Sequence, residues 1–424
     1  MPISRLRRQL TGAAIVTLVL TVLAAVPTAW GQDVAGQAEP MVPAKDIFDV
    51  LRQLLHKKSS EKAPEPAVQQ PGTTMAAYAP YIAANSSNGF IIGAAGNVAF
   101  FMGDPKTTRL STAVVSLSYT SKGQLLLSAK LAAFSKNNRW LLNGDNRFNW
   151  TSQKTYGLGT SSDPSAEVDT KFNFFRIYET LYRQVFPGFY LGAGFLFSSN
   201  TDVRPTSSAE AVWPDSPYVV YSEQNGFDLA SQTSAGTSLN AVFDKRDSSI
   251  DPSRGWYASA DYRFFFNGFL GGSSAWQEFQ TDWRTYFRLS RDARHKLGLW
   301  FYGDFVAQGT APYYGLPATG MDTYGRTGRG YLQGRYRGEE MVYGEIEYRW
   351  TITRDGLLGL VVFLNTETLS DKQAGEQLFD SFATGGGFGL RVRLNKGSKT
   401  NVCFDFGFGQ KGSSAFAIGV QEAF

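Results

Sequence analysis

Between residues 328 and 350 the chain concentrates fixed charge. The stretch "GRGYLQGRYRG" sets Arg329, Arg335 and Arg337 among glycines and tyrosines, and "EEMVYGEIEYRW" follows with Glu345, Glu347 and Arg349 at every second position. These residue types do ion-pair chemistry, because a guanidinium offers a planar fork of N–H donors that fits carboxylate oxygens. Bond-making chemistry finds no comparable set. His295 falls in the short segment "SRDARHKLG" and His56 in a helical stretch, neither beside a recognisable nucleophile element, so a Ser-His-Asp hydrolase is disfavoured. Asp244, Asp247 and Asp251 lack the twelve-position loop and closing glutamate of a calcium site. Two scattered histidines and the single Cys403 are too few for a histidine-rich metal site or an internal disulfide. No catalytic residue, cofactor or metal is expected.

The elements that must hold these charges alternate with period two. Glu345, Glu347 and Arg349 share one face, and Ile346, Tyr348 and Trp350 the other. Phe363, Asn365 and Glu367 stand opposite Val362 and Leu364, and Arg391 and Arg393 opposite Leu390, Val392 and Leu394. If the apolar rows meet lipid, the charged rows must line a lumen, since an ionised side chain in hydrocarbon costs kilocalories. A soluble β-sandwich also alternates, but it rarely needs so many long, glycine-rich strands in succession. Strands are expected near 76–84, 89–100, 109–119, 123–135, 138–149, 171–184, 187–199, 234–244, 255–267, 274–289, 294–307, 341–350, 357–366, 384–394, 399–409 and 415–424. Short turns ("SKNN", "QVFPG", "SRDARH") alternate with a side that includes 150–170, 200–233 and 308–340, the asymmetry of periplasmic turns and outer loops. The fold expected for 76–424 is all-β: a sixteen-stranded antiparallel transmembrane β-barrel in the bacterial outer membrane. Its last strand carries an outer row of Phe416, Ile418, Val420 and Phe424.

Composition agrees with that class. Aromatics make up 14% of the 424 residues, with 32 Phe, 20 Tyr and 44 Gly, yet mean hydropathy is slightly negative, as for strands that hide half their side chains from lipid. After the N-terminal segment no run of 18 apolar residues remains for a helical span. Residues 1–31 run from Arg5, Arg7 and Arg8 through "TGAAIVTLVLTVLAAVPTA" to small residues, the order of an export signal rather than an uncleaved anchor. Removing those three arginines takes the formal charge of +4 close to neutrality, and nothing suggests a nucleic-acid partner. Residues 32–75 read as a periplasmic segment: an amphipathic helix over 45–58 with Ile47, Phe48, Leu51, Leu54 and Leu55 on one face, then the polar linker "SSEKAPEPAVQQPGT".

The charged loop has two readings on composition. In one, 308–340 folds into the lumen, where Arg329 meets Glu347 and the glycines permit close approach. In the other it is a solvated outer loop whose arginines bind anionic lipopolysaccharide headgroups.

Four ordered elements resemble the outer-membrane assembly-factor superfamily, also called the bacterial surface antigen family. Arg329-Gly330-Tyr331 is similar to the arginine-glycine-aromatic tip of its inward-folded sixth extracellular loop. "FDKRDSSIDPSRGWYASADY" resembles its strand connection, with Asp244, Arg246 and Asp247 followed by Pro252, Arg254 and Gly255. "GEIEYRW" resembles the strand after the plug loop, Glu347 standing at the acidic partner position, and "FAIGVQEAF" the final strand, ending in an aromatic assembly signal at Phe424. The resemblance covers about 76–424 and implies a barrel closed by its first and last strands, with Phe363 and Asn365 beside the plug, and a role in inserting or translocating outer-membrane substrates; strand parity adds Arg391 as a lumen partner. Two features depart from it. Periplasmic polypeptide-transport-associated domains are replaced by the short helix and linker, and Asn365 stands where the family has an aspartate, an exchange that leaves a hydrogen-bonding group without charge.

Three functions are compatible with these residues: assistance in insertion or translocation of protein or lipid, a passive solute channel, and an anchor that holds a periplasmic protein through 45–58. The expected partners are outer-membrane lipids, the outer-membrane assembly machinery during biogenesis, and that candidate periplasmic protein.

Overall fold

The structure is a computed structural model describing residues 43–54, 74–396, 399–420 and 422–424. The alternating segments form sixteen strands: β1 (Thr74–Asn85), β2 (Gly89–Phe100), β3 (Ser111–Thr120), β4 (Leu125–Phe134), β5 (Trp140–Thr155), β6 (Val168–Phe186), β7 (Phe189–Pro205), β8 (Ser231–Asp244), β9 (Gly255–Phe265), β10 (Trp276–Arg288), β11 (His295–Gly309), β12 (Glu340–Thr351), β13 (Leu358–Leu369), β14 (Ala383–Asn395), β15 (Thr400–Gly409) and β16 (Ser414–Val420). Each pairs antiparallel with its sequence neighbours, and β1 meets β16, closing the barrel. Closure joins the two sheet edges, though at the β1–β16 junction over two registered positions, and pairing is what strands in hydrocarbon require, where no water satisfies a free N–H or C=O.

The two faces separate as period-two alternation requires. Phe301, Ile346, Tyr348, Trp350, Val362, Leu364, Leu390, Phe406 and Phe408 are exposed on the outside, while Glu345, Glu347, Arg349, Phe363, Asn365, Glu367, Arg391 and Asp405 are buried within. A closed barrel with an apolar, aromatic outer surface and an ionic interior belongs in the outer membrane. Among the described residues no helix is long and apolar enough to cross a membrane.

Three boundaries differ from those expected. First, β5, β6 and β7 extend to Thr155, Val168 and Pro205, so the outer loops shrink to 156–167 and 206–230. The added residues are mostly polar, with Val168 and Val203 buried, because this stretch of ladder rises beyond the lipid into water. Second, β1 starts at Thr74, two residues before the expected barrel boundary at 76. Third, β16 ends at Val420 instead of running to 424, and the tail turns into the barrel. Phe416, Ile418 and Val420 keep the outward row beside Phe406, Phe404 and Val402, but Phe424 leaves it and is 5% exposed in the interior.

At the short-turn end, helix α1 (Ile47–Leu54) lies against the barrel rim. Lys396 Nζ donates to Asp49 at 2.8 Å, the Lys396 N–H to Asp46 at 3.3 Å, and the Lys45 N–H to the Asp355 carbonyl at 2.9 Å. The lysine holds the Asp49 carboxyl below its ordinary range. Phe48 remains 49% exposed. Residues 1–42, the last four residues of the expected helix (55–58, with Leu55 and His56) and the linker over 59–73 lie outside the described residues.

Candidate functional site

The connection between β11 and β12, residues 310–339, enters the barrel. It reaches opposite walls: Thr323 O accepts from Arg147 of β5 at 2.9 Å and from Lys130 of β4 at 3.1 Å, while the Tyr331 hydroxyl donates to Thr384 O of β14 at 2.7 Å. Its entry is anchored at the long-loop end by helix α2 (Pro217–Gln224), capped by Ser216. Tyr218, Tyr221, Tyr313 and Tyr314 pack there in one buried aromatic cluster. Arg337, 1% exposed, stacks on the Tyr313 and Tyr314 rings at 4.9 and 5.2 Å and donates to the carbonyls of Tyr313 and Leu316 at 3.0 and 3.2 Å. No carboxylate forms a salt bridge with it among the described residues.

At the tip, the Arg329 guanidinium forms ion pairs with Glu345 and, at 2.5 Å, with Glu347, and lies 3.7 Å from Asp405. Its carbon sits 3.7 Å above the Phe363 ring centroid, so the charge is held by carboxylates at its edge and π density at its face. The backbone comes equally close. Gly330 has φ +116°, a conformation L side chains rarely adopt, and a Cβ there would stand 2.9 Å from Phe408 O. On the facing strand, a Cβ at Gly407 would stand 2.5 Å from Gly330 N.

The residues singled out from sequence fall into different places. Arg329, Glu347 and Phe363 meet directly. Asn365 also touches the loop, but as a donor: its amide gives a hydrogen bond to the Arg329 carbonyl at 2.9 Å rather than receiving one from the guanidinium. Arg391 does not reach the tip; it pairs with Asp405 at 2.6 Å and Glu422 at 2.7 Å. Phe424 belongs to this interior as well. Its carbonyl accepts from Arg349 at 2.7 Å and its ring packs 5.2 Å from Trp300 and 6.1 Å from Tyr286. Two shared carboxylates thus join loop to tail: Glu347 binds Arg329 and Arg349, and Asp405 lies between Arg329 and Arg391.

Sequence reasoning missed Glu422, though a signal existed. Glu422 shares the parity of Phe416, Ile418 and Val420, so a longer β16 would press a carboxylate against hydrocarbon. By turning inward the chain gives Glu422 to Arg391 and to the Asn401 amide, both at 2.7 Å.

The β8–β9 turn, at the short-turn end, is a separate structural unit. Arg246 grips Asp244 with Nε and Nη2 at 2.9 and 3.1 Å. Asp247 accepts from the N–H groups of Ser253 and Arg254 at 2.9 and 3.2 Å and from the Ser253 hydroxyl at 2.5 Å. Burial pushes the Asp247 carboxyl up, and these hydrogen bonds outweigh it, holding the group below its ordinary range. Pro252 is buried, and Gly255, φ +106°, lies against Lys245. Arg254 contributes its backbone rather than its exposed side chain, and the neighbouring Asp251 is paired by Lys296 instead.

The seam differs from every other junction. Among the described residues β1 and β16 register only at Ala84–Ile418 and Asn85–Ala417, with Ser86 N donating to Phe416 O at 3.1 Å. Thr74 to Ala83 find no registered partner on β16, and Tyr78 is 92% exposed. Pro80, which has no N–H to give, is tolerated in such an edge strand. Behind the seam lies a cavity of about 460 Å³ bounded by Tyr81, Ser116, Ser118, the loop at 320–331 and the inner side of β16.

These features define a sixteen-stranded outer-membrane barrel with an occupied lumen and a short seam. Three solved structures share the fold. BamA from Haemophilus ducreyi, in a form lacking POTRA domains 1–3, matches with a TM-score of 0.56 at 13% identity over 83% of this chain and 70% of that one. CdiB from Acinetobacter baumannii matches at 0.51 and 12%, and CdiB from Escherichia coli at 0.52 and 9%, over 82% and 85% of this chain. The chain spans 59% and 64% of those two CdiB chains. At these identities the likeness establishes the fold. No protein-family model matches the chain, and no curated protein does.

Proposed function

We propose that the protein is a non-enzymatic barrel of the assembly-factor type, which assists insertion or translocation of protein or lipid by opening between β1 and β16. The observation that carries this reading is the seam: most of the β1 edge lacks a registered partner, in a setting where an unpaired backbone group has no water to turn to. A strand edge in that condition accepts another strand or parts readily. The cavity behind it offers polar walls to whatever enters. The loop at 310–339 with Arg329 acts as a plug, and Phe424 with Glu422 keeps the tail out of the lipid and against the lumen wall.

A passive solute channel fits less well, since the loop and the tail both occupy the lumen. Helix α1 is committed to the rim through Asp49 and, just before it, Asp46, which leaves Phe48 as the surface for a periplasmic protein. The proposed function is tested by depleting the protein in its bacterium and taking a census of outer-membrane proteins and lipids. Loss of a defined client set supports it. An unchanged census together with steady single-channel conductance of the purified barrel replaces it with the channel reading.

A further inference from the structure

Glu422 escapes hydrocarbon by turning inward; among the described residues, Glu179 of β6 does not. The register of β6 sends Phe175, Ile177, Glu179 and Leu181 outward, Leu181 being 49% exposed, while Arg176, Tyr178, Thr180 and Tyr182 line a lumen cavity. Glu179 therefore stands on the lipid face. Below it the Arg183 guanidinium covers Trp140 at 4.8 Å, and above it comes Trp150, so it lies between the two aromatic borders of the belt. Among the described outward residues between those borders it is the single carboxylate.

The group is seated rather than stray. Asn146, also outward, donates from Nδ2 to Glu179 Oε1 at 2.7 Å. Gly144, its cross-strand partner, forms the floor: a Cβ there would stand 2.7 Å from Oε2. Among the described residues nothing donates to Oε2. A donor and an acceptor thus face the lipid side by side on adjacent strands, one carboxylate oxygen and one amide N–H unused.

We propose that this patch on β5 and β6 is where two copies of the barrel associate side by side in the membrane. The patch is self-complementary, as a two-fold contact requires: the second N–H of Asn146 reaches the free carboxylate oxygen of Glu179 of the partner subunit, and the reverse pair forms by symmetry. On the β4–β5 side Gly144 and Ala129 keep the surface low, which lets another barrel wall approach, and on the β7 side the exposed ring of Phe195, the cross-strand partner of Glu179, borders the patch. Hydrocarbon offers no competing water, so satisfying these groups favours association. The contact lies away from the β1–β16 seam and does not depend on the function proposed for it.

The test uses the full chain reconstituted in lipid vesicles, labelled through Lys372→Cys in an exposed loop, with photobleaching steps counted over a dilution series; the native Cys403 is buried. Two-step traces are expected for the parent. Glu179→Leu and Asn146→Leu should each weaken association by about tenfold, and Glu179→Gln should largely retain it. Glu179→Leu removes a polar group from lipid, so its unfolding midpoint in denaturant should not fall, which separates lost contact from lost fold. Single-step traces for the parent at every protein-to-lipid ratio would overturn the proposal. So would equal association of Glu179→Leu, or occupation of the patch by a lipid or a different protein in place of a second copy.

Discussion

At the scale of single residues, Arg329 is the hub of the lumen. It faces Glu345, Glu347 and Asp405 at once, so its loss strands carboxylates in a buried site, at a cost of about 3–5 kcal/mol where burial is complete. Arg329→Ala should raise amide hydrogen exchange across 319–336, and Glu347→Gln should raise it less, because two carboxylates remain. Arg329→Lys should behave closer to alanine than to the parent, since an ammonium cannot serve several carboxylates with a planar fork. Arg337 deserves equal weight on structural grounds. Its stacking on Tyr313 and Tyr314 and its two carbonyl bonds tie the loop's entry to its exit, so Arg337→Ala should release 311–318 in the same exchange experiment. The acidic partner of Arg329 was legible from strand parity, because Glu345 and Glu347 had to face inward. The hub's full valence was not, since Asp405 lies on a strand distant in sequence and only closure of the barrel brings it near.

Among the elements, long strands that span lipid were readable from alternation, and the parts that rise into water were not, because β5 to β7 lose the apolar row there. The end of β16 was misplaced for the opposite reason: Phe424 prolongs the apolar parity, while Glu422 on the same row forbids the strand. Glu422→Leu should therefore extend β16 along the lipid face and free the tail, read as increased protease access or exchange at 421–424. In the β8–β9 turn, Asp247→Ala leaves the Ser253 and Arg254 N–H groups without their acceptor and should cost about 1–2 kcal/mol in the unfolding midpoint. The same carboxyl, held below its ordinary range, stabilises the turn at neutral pH. That contribution is present above the ordinary aspartate range near pH ~4 and is lost as pH falls through the lower folded value. Asp247→Ala should accordingly flatten the acid limb of the stability curve.

The whole molecule is asymmetric: each of the other fifteen junctions registers seven residue pairs or more, and the seam is held at two registered positions. The family resemblance implied closure of first strand on last, but the weakness of that junction depends on where β16 stops, which the sequence concealed. The most direct measurement locks the seam. Asn85→Cys with Ala417→Cys places a disulfide across registered Cα partners, and Ser116→Cys with Ser128→Cys does the same at the β3–β4 junction as a control. Each is expressed in depleted cells, and the outer-membrane census is taken under oxidising and reducing conditions. The oxidised seam lock is expected to fail to restore the census, reductant to rescue it, and the control to restore it in both conditions. Full restoration by the oxidised seam lock, with the crosslink verified, would contradict the claim that the barrel works by opening between β1 and β16.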